Sequence, residues 1–240
     1  MTIEGPEGAG KTTQAARLRA AFEAAGQPVL LVREPGGTAL GEAIRALLLD
    51  DNTAAVPISP RADALLFNAA RVQLVAEQIE PALRSGTTVL CSRFADSTLA
   101  YQGSGMGLPA DALRALEQFA TGGLRPDLTI LLDLPVALGL ARKRGQEETR
   151  FESAFDEAFH ERVRAGFLAL AAAEPDRFVT IDARRTPDEV FTHVIAAVER
   201  RLGNPVGRGA SPARFRPANE PVAPVMSPSE PNEPSVRISR

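Results

Sequence analysis

The chain has 240 residues, 44% of them hydrophobic and 24% charged, with a net charge of -3, which fits a globular protein with one core. It contains no apolar run of about 20 residues and no signal-peptide pattern, so we expect a cytoplasmic protein without a membrane partner. The acidic balance excludes a broad nucleic-acid surface, and Cys91, the only cysteine, excludes an internal disulfide.

The order of apolar segments predicts an α/β fold. Short runs rich in Val, Ile and Leu alternate with stretches of helical period, which is typical of a parallel sheet with helices on both faces. We expect strands at residues 2–4, 29–33, 88–91, 128–133 and 178–182. We expect helices at residues 11–25, 39–49, 61–85, 110–120, 136–143, 152–173 and 187–202. Residues 1–203 are therefore predicted to form one domain.

Residues 204–240 have a different composition. Of the 19 prolines, 8 fall in this segment, among Ser, Ala, Glu and Arg with little apolar pattern. Such a segment cannot bury enough apolar area to offset the entropy of ordering it, which predicts a disordered tail. A polyproline docking peptide is the alternative, although no regular P-x-x-P spacing dominates.

Residues 5–12 match the phosphate-loop pattern G-x-x-x-x-G-K-[ST] between a predicted strand and a predicted helix. Glycines let backbone N–H groups point at phosphate oxygens, and the following helix adds the positive end of its dipole. We expect Lys11 to reach the β- and γ-phosphates of ATP and the Thr12 hydroxyl to ligate Mg²⁺. Lys11 and Lys143 are the only lysines among 27 basic residues, which agrees with a functional Lys11.

A phosphate loop alone leaves motors, GTPases, ABC-type ATPases and kinases open. The chain has no Asn-Lys-x-Asp motif for guanine and no Leu-Ser-Gly-Gly signature, which disfavours the GTPases and the ABC-type ATPases. Asp133 ends a predicted strand as a Walker B carboxylate would. Many parallel strands end in an Asp that caps the next helix, so both interpretations of Asp133 remain open.

Four segments in series resemble bacterial thymidylate kinases, which are P-loop nucleoside monophosphate kinases. The segments are residues 5–13, Arg33-Glu34-Pro35-Gly36-Gly37-Thr38, residues 92–103 and Ile181-Asp182-Ala183. The resemblance covers about residues 2–202. It implies a P-loop NTPase fold with a five-stranded parallel sheet and a short lid, transfer of the γ-phosphoryl group of ATP to dTMP with Mg²⁺, and a homodimer.

The resemblance also implies two sets of binding residues. The ATP-binding set is Gly5, Pro6, Glu7, Gly8, Ala9, Gly10, Lys11, Thr12 and Thr13. The dTMP-binding set is Glu7, Arg33, Glu34, Pro35, Phe67, Arg71, Arg93, Ser97, Tyr101 and Gln102. Within this second set, Glu7 is expected to meet the 3′-hydroxyl of the deoxyribose.

Some of these roles also have a physical basis in the sequence. Phe67 and Arg71 stand four apart on a predicted helix, so Phe67 can stack on a pyrimidine while Arg71 donates to thymine O4. Without the resemblance, a core Phe67 and a solvated Arg71 are favoured. Gln102 can read the N3 edge of the base. Arg93 ends the third predicted strand and is expected to bridge the donor and acceptor phosphates.

The family usually carries Asp directly before this arginine, where this chain has Ser92. We expect activity to persist, either at a lower rate or with Asp96 or Asp133 compensating, because phosphoryl transfer depends on several positioned groups. Two alternatives stay open. One is another P-loop kinase acting on a different (deoxy)nucleotide, and the other is a nucleotide-binding sensor that lost turnover through Ser92.

Residues 142–151 form a basic segment between two predicted helices, with cations at Arg142, Lys143, Arg144 and Arg150. A solvated loop is one interpretation, and a lid that closes over ATP is the other. The phosphate loop contains no arginine, so the resemblance implies a catalytic arginine from the lid, either Arg144 or Arg150. The predicted catalytic residues are Lys11, Arg93, Arg144 and Arg150.

Overall fold

The computed structural model describes residues 1–49, 57–144 and 149–203. The strands of this part are β1 (Thr2–Glu4), β2 (Val29–Arg33), β3 (Thr88–Ser92), β4 (Thr129–Asp133) and β5 (Phe178–Asp182). They form one sheet in the order β2-β3-β1-β4-β5, and every pairing in it is parallel. The predicted α/β class and its five strands are confirmed. The predicted tail at 204–240 lies outside the described residues.

Helices connect the strands. They are α1 (Lys11–Ala24), α2 (Ala39–Leu49), α3 (Pro60–Leu74), α4 (Glu80–Arg84), α5 (Ala95–Thr98), α6 (Ala110–Thr121), α7 (Val136–Lys143), α8 (Arg150–Ser153), α9 (Glu157–Ala173) and α10 (Pro187–Leu202). Two π-helical segments, Val75–Ile79 and Leu99–Gly105, continue from α3 and from α5. No helix in the described ranges is both long and apolar enough to cross a membrane.

Successive side chains along each strand point to opposite faces of the sheet, and helices pack on both faces. Ile130 and Leu132 of β4 join the cluster that includes Leu18 of α1 and Val194 of α10. Leu131, between them, joins a second cluster on the opposite face, formed with α9 and the π-helical segment Leu99–Gly105. The apolar strands therefore separate two cores, as the continuous Val, Ile and Leu runs predicted.

Two predicted helices are interrupted and one helical region was not predicted. The helix expected at 61–85 contains the π-helical segment Val75–Ile79, and the one expected at 152–173 breaks before Asp156, whose carboxylate accepts from the Phe159 N–H at 2.8 Å. Residues 95–105 are helical despite their Ser, Thr and Gly content, because packing against α9 overrides weak propensity.

Candidate active site

The phosphate loop leaves β1 at Gly5 and enters α1 at Lys11, at the carboxyl edge of the sheet. Gly5 and Gly8 have φ angles of 142° and 69°, which favour glycine. A β-carbon at Gly5 would overlap the Leu132 carbonyl, and one at Gly8 would overlap the Gly139 carbonyl. Both glycines are therefore required by backbone conformation and by close packing.

The Lys11 ammonium lies under this loop. Its Nζ donates to the carbonyl oxygens of Gly5 at 3.0 Å and Pro6 at 2.7 Å. Burial lowers the pKa of Lys11 to about 7, and the nearby Arg93 charge acts in the same direction. In this state the ammonium is held by neutral carbonyls, and a bound phosphate would stabilise its charged form.

Arg93 connects the phosphate loop with the segment that follows β3. Its Nη1 donates to the Gly5 carbonyl at 3.2 Å and to Ser97 Oγ at 3.3 Å, while Nη2 donates to Glu7 Oε1 at 2.7 Å and to the Tyr101 hydroxyl at 3.0 Å. Its backbone has a φ of 67°, a strained value for a non-glycine residue. These contacts hold the guanidinium between the two sides of the site.

Glu7 is an acid inside the phosphate loop. Burial disfavours its charge, but Arg93 and Lys11 outweigh burial and hold its pKa at about 2. The Tyr101 hydroxyl also donates to Glu7 Oε1 at 2.7 Å. Burial raises the pKa of Tyr101, so this hydroxyl keeps its proton. Glu7 is therefore an ionised carboxylate with fixed orientation.

One cavity of about 920 Å³ extends from the phosphate loop to the far wall of the site. The predicted residues that line it are Glu7, Gly8, Ala9, Gly10, Lys11, Thr12, Thr13, Arg33, Glu34, Pro35, Phe67, Arg93, Ser97, Tyr101 and Gln102. The predicted residues that do not line it are Gly5, Pro6, Arg71, Arg144 and Arg150. The structure thus brings both predicted binding sets to one cavity, apart from Gly5, Pro6 and Arg71, and leaves the predicted catalytic Arg144 and Arg150 outside its lining.

Arg71 lies behind the cavity wall and is 1% exposed. Its Nε donates to Glu34 Oε2 at 2.8 Å, and Nη1 donates to Asn68 Oδ1 at 3.1 Å and Thr98 Oγ1 at 3.0 Å. Nη2 donates to the Phe94 carbonyl at 3.2 Å and lies 2.7 Å from Glu34 Oε2. Four hydrogen bonds and the ion pair with Glu34 thereby engage the guanidinium. Donation to thymine O4 would require Arg71 to exchange one of these bonds, and that role stays a prediction.

Arg150 is also buried and does not line the cavity. Its Nη2 donates to Asp63 Oδ2 and its Nε donates to the Leu48 carbonyl at 2.9 Å. Asp63 in turn accepts from Gln102 Nε2 at 2.7 Å. The structure therefore places Arg150 against α2 and α3, in contrast to the predicted catalytic position at the phosphates.

Comparisons with known proteins show the family of this chain. The sequence model of the thymidylate kinase family matches residues 3–194. The chain belongs to the thymidylate kinase family. It is 55% identical over 203 residues to a thymidylate kinase from Deinococcus radiodurans, covering 84% of this chain and 96% of that protein. It is 52% identical to one from Thermomicrobium roseum, covering 82% and 93%.

A solved structure is also similar. The crystal structure of thymidylate kinase from Ehrlichia chaffeensis superimposes with a TM-score of 0.68 at 32% sequence identity. The match covers 82% of this chain and 96% of that one. Membership of the thymidylate kinase family and the P-loop fold, both predicted from the sequence, are confirmed.

The start of the predicted lid lies beside the phosphate loop. Arg142 Nη1 donates to the Ala183 carbonyl at 3.1 Å and lies 3.4 Å from the Gly8 carbonyl. Arg142 and Lys143 line the cavity, whereas Arg144 is exposed where α7 ends. The predicted lid spans 142–151, and its residues 145–148 lie outside the described part of the chain.

Ser92, which replaces the usual aspartate of the thymidylate kinase family, lines the cavity. The two carboxylates expected to compensate are engaged elsewhere. Asp96 accepts from Arg177 Nη1 at 2.6 Å, and Asp133 accepts from Arg164 Nε at 2.7 Å. Neither lines the cavity, so the expected compensation by Asp96 or Asp133 is wrong in this structure.

Glu4, the last residue of β1, belongs to no motif from which its role was predicted. It accepts from the Phe94 N–H at 2.6 Å and from Ser97 Oγ at 2.6 Å, and so holds the segment that carries Arg93. Burial raises the pKa of Glu4 to about 7, helped by the Asp96 charge. Its place at the carboxyl end of β1 was the available signal, because ligands bind at that edge in open α/β sheets.

Proposed function

We propose that this protein transfers the γ-phosphoryl group of ATP to dTMP, giving dTDP and ADP, as a cytoplasmic step in dTTP synthesis. The observation that carries the proposal is the single cavity that joins the phosphate loop to the wall formed by Phe67, Tyr101 and Gln102. Arg93 donates to groups on both sides of it. Membership of the thymidylate kinase family supports the same activity.

The donor side binds the triphosphate of ATP. Backbone N–H groups of the phosphate loop and the N-terminus of α1 hold its oxygens. Lys11 leaves its carbonyl partners for the β- and γ-phosphates, where its positive charge is stabilised. Arg93 stabilises the charge on the transferred group from the acceptor side. Since a phosphate acceptor is already ionised at neutral pH, no general base is required.

The acceptor side binds dTMP. Phe67 stacks on the base, and the amide oxygen of Gln102 accepts from the N3–H of thymine. Glu7 accepts from the 3′-hydroxyl of the deoxyribose, since its low pKa keeps it ionised. Arg33, Glu34, Pro35 and Ser97 complete the wall. Arg71 supports this wall through its ion pair with Glu34.

The residues fit a magnesium ion bound mainly through phosphate oxygens and water. The described residues contain no group of three His, Cys, Asp or Glu side chains able to hold a metal, whereas the Thr12 and Ser92 residues both line the cavity. Mg²⁺ often keeps several waters beside a substrate phosphate, so a single hydroxyl such as Thr12 is sufficient. When bound, Mg²⁺ neutralises phosphate charge.

The lid arginine of the proposal is Arg144. It directly follows α7, one residue after Lys143 of the cavity wall, and is exposed. A closing segment can bring it to the phosphates and exclude water from the transfer. Arg150 has a different role, because Asp63 and the Leu48 carbonyl hold it in the core.

The active form of the protein is a homodimer in this proposal. Leu65 and Val72 of α3 lie seven residues apart on one helix face and are 58% and 40% exposed, and Phe119 of α6 is 83% exposed. Exposed apolar groups of this size on two packed helices are typical of an interface. Sedimentation should show a dimer that Phe119→Glu dissociates, whereas Leu138→Glu on α7 leaves it intact.

A coupled assay of ADP release with ATP, Mg²⁺ and each nucleoside monophosphate tests the activity. We expect the highest kcat/KM with dTMP and almost no turnover in Lys11→Met. Faster turnover with another monophosphate would identify a different P-loop kinase. Binding of ATP and dTMP without turnover would identify a nucleotide sensor.

A further inference from the structure

The side-chain amide of Gln102 has a defined orientation at the cavity wall. Its Nε2 donates to Asp63 Oδ1 at 2.7 Å, and its oxygen accepts no hydrogen bond from the described residues. A fully buried oxygen without a partner would be one of the buried unpaired side-chain atoms. Gln102 Oε1 is not one of them, so it keeps some exposed surface. Because Gln102 lines the cavity, the amide oxygen faces its open space.

Asp63 determines which end of the amide faces inward. It is fully buried, with Gln102 on one carboxylate oxygen and the Arg150 guanidinium on the other. A carboxylate that faces a guanidinium accepts hydrogen bonds and cannot donate them. Only the NH₂ group of Gln102 can therefore point at Asp63. Burial raises the pKa of Asp63, while donation from Arg150 and Gln102 opposes that shift.

We propose that Asp63, held by Arg150, is a positioning residue that keeps the Gln102 amide oxygen toward the acceptor base and so selects dTMP over dCMP. This inference rests on the proposed contact between Gln102 and dTMP. An acceptor oxygen pairs with the N3–H of thymine or uracil. It repels the unprotonated N3 of cytosine, because both atoms carry lone pairs.

The same segment reaches the base from a second direction. Phe151 follows Arg150 in α8, lines the cavity and lies 6.1 Å from Phe67 and 5.3 Å from Tyr101 between ring centroids. Two consecutive residues at the end of the predicted lid thus orient Gln102 and pack against the base wall. This end of the lid belongs to base selection, whereas α7 adjoins the phosphate loop through Arg142.

Asp63→Asn tests the proposal. Arg150 then donates to the single amide oxygen of the new asparagine, so the NH₂ group of that asparagine faces Gln102. The Gln102 amide therefore turns its oxygen toward position 63 and presents its own NH₂ group to the base. We expect the ratio of kcat/KM for dTMP to that for dCMP to fall at least about tenfold. The ratio for dTMP to dUMP should stay unchanged, because both bases carry N3–H. Asp63→Glu keeps an acceptor-only carboxylate and should retain the dTMP preference over dCMP.

Matched controls separate positioning from general damage. Asp96→Asn weakens another ion pair with a buried aspartate, Asp96 with Arg177, away from the cavity, and should lower stability without changing the dTMP to dCMP ratio. If Asp63→Asn does not fold, Asp63→Ser also removes the acceptor-only partner of Gln102. It should likewise lower the ratio of kcat/KM for dTMP to that for dCMP. Two results would overturn the positioning role of Asp63. One is a native ratio of kcat/KM for dTMP to that for dCMP in the folded Asn or Ser variant, and the other is an equal fall of this ratio in Asp96→Asn.

Gln102→Leu distinguishes this inference from the proposed base contact. It should narrow the dTMP to dCMP ratio, and adding Asp63→Asn to it should change the ratio no further. If Gln102→Leu has no effect on the ratio, the base contact itself is wrong. If it narrows the ratio and Asp63→Asn alone does not, the base contact holds and only the role of Asp63 fails.

Discussion

Gly139 of α7 packs directly on the backbone of Glu7 in the phosphate loop, so that a β-carbon at Gly139 would overlap the Glu7 carbonyl oxygen. The two residues are far apart in sequence: Gly139 lies in α7, just before the predicted lid, and Glu7 lies in the phosphate loop. Their contact leaves no space between α7 and the loop. The position of the phosphate loop therefore depends on a helix that follows β4.

Gly139→Ala should weaken ATP binding by about fivefold or more, because overpacking of this size costs about 1–3 kcal/mol and falls directly on the loop. Calorimetric titration with ATP measures the effect. Leu138→Ala, at the exposed neighbouring position of α7, is the matched control and should leave ATP affinity unchanged. Equal affinity in Gly139→Ala and the native protein would contradict this packing.

ATP binding should take up about one proton at pH 8.5, because Lys11 is mostly neutral above its pKa of about 7 and the phosphates restore its charge. Titration calorimetry in two buffers of different ionisation enthalpy measures the uptake. Lys11→Arg is charged before ATP binds, so its uptake should be close to zero. Binding to the native protein without proton uptake would show that Lys11 is already charged in the free site.

Glu4 should make the folded state less stable as pH rises from about 4.5 to 7. Its pKa is raised from 4.5 to about 7, so in this window the folded state keeps a proton that the unfolded state has released. Below about pH 4.5 the contribution of Glu4 to the stability of the folded state is fully present. Above about pH 7 this contribution is lost and falls no further. Glu4→Gln lacks this titration, so urea unfolding should show native stability falling relative to the variant between pH 5 and 7. Parallel stability curves would contradict the raised pKa.

Ser92→Asp should leave kcat unchanged or raise it. Asp96 and Asp133 are engaged by Arg177 and Arg164 and do not line the cavity, so a carboxylate at position 92 would add a negative charge that neither of them supplies there. Turnover measured over a range of Mg²⁺ concentrations checks this, with Ser92→Ala to isolate the hydroxyl. A large loss of turnover in Ser92→Asp would reveal a separate role for the serine.

The local patterns of the sequence determined the sheet and the phosphate loop. Five apolar runs predicted the five strands, and residues 5–12 predicted the loop between β1 and α1. Such features depend on neighbours in the chain, so they can be predicted without distant partners. The segment 95–105 could not, because its helical form depends on packing against α9.

The partners of the buried charges were decided only by the tertiary structure. Arg71 was predicted to face the base and Arg150 the phosphates, but Glu34 and Asp63 hold them in the core. A guanidinium engages whichever carboxylate the fold brings within reach, and a buried charge cannot stay unpaired. The sequence by itself thus determined which nucleotide loop the protein has, and only the fold decided which of its arginines face the cavity.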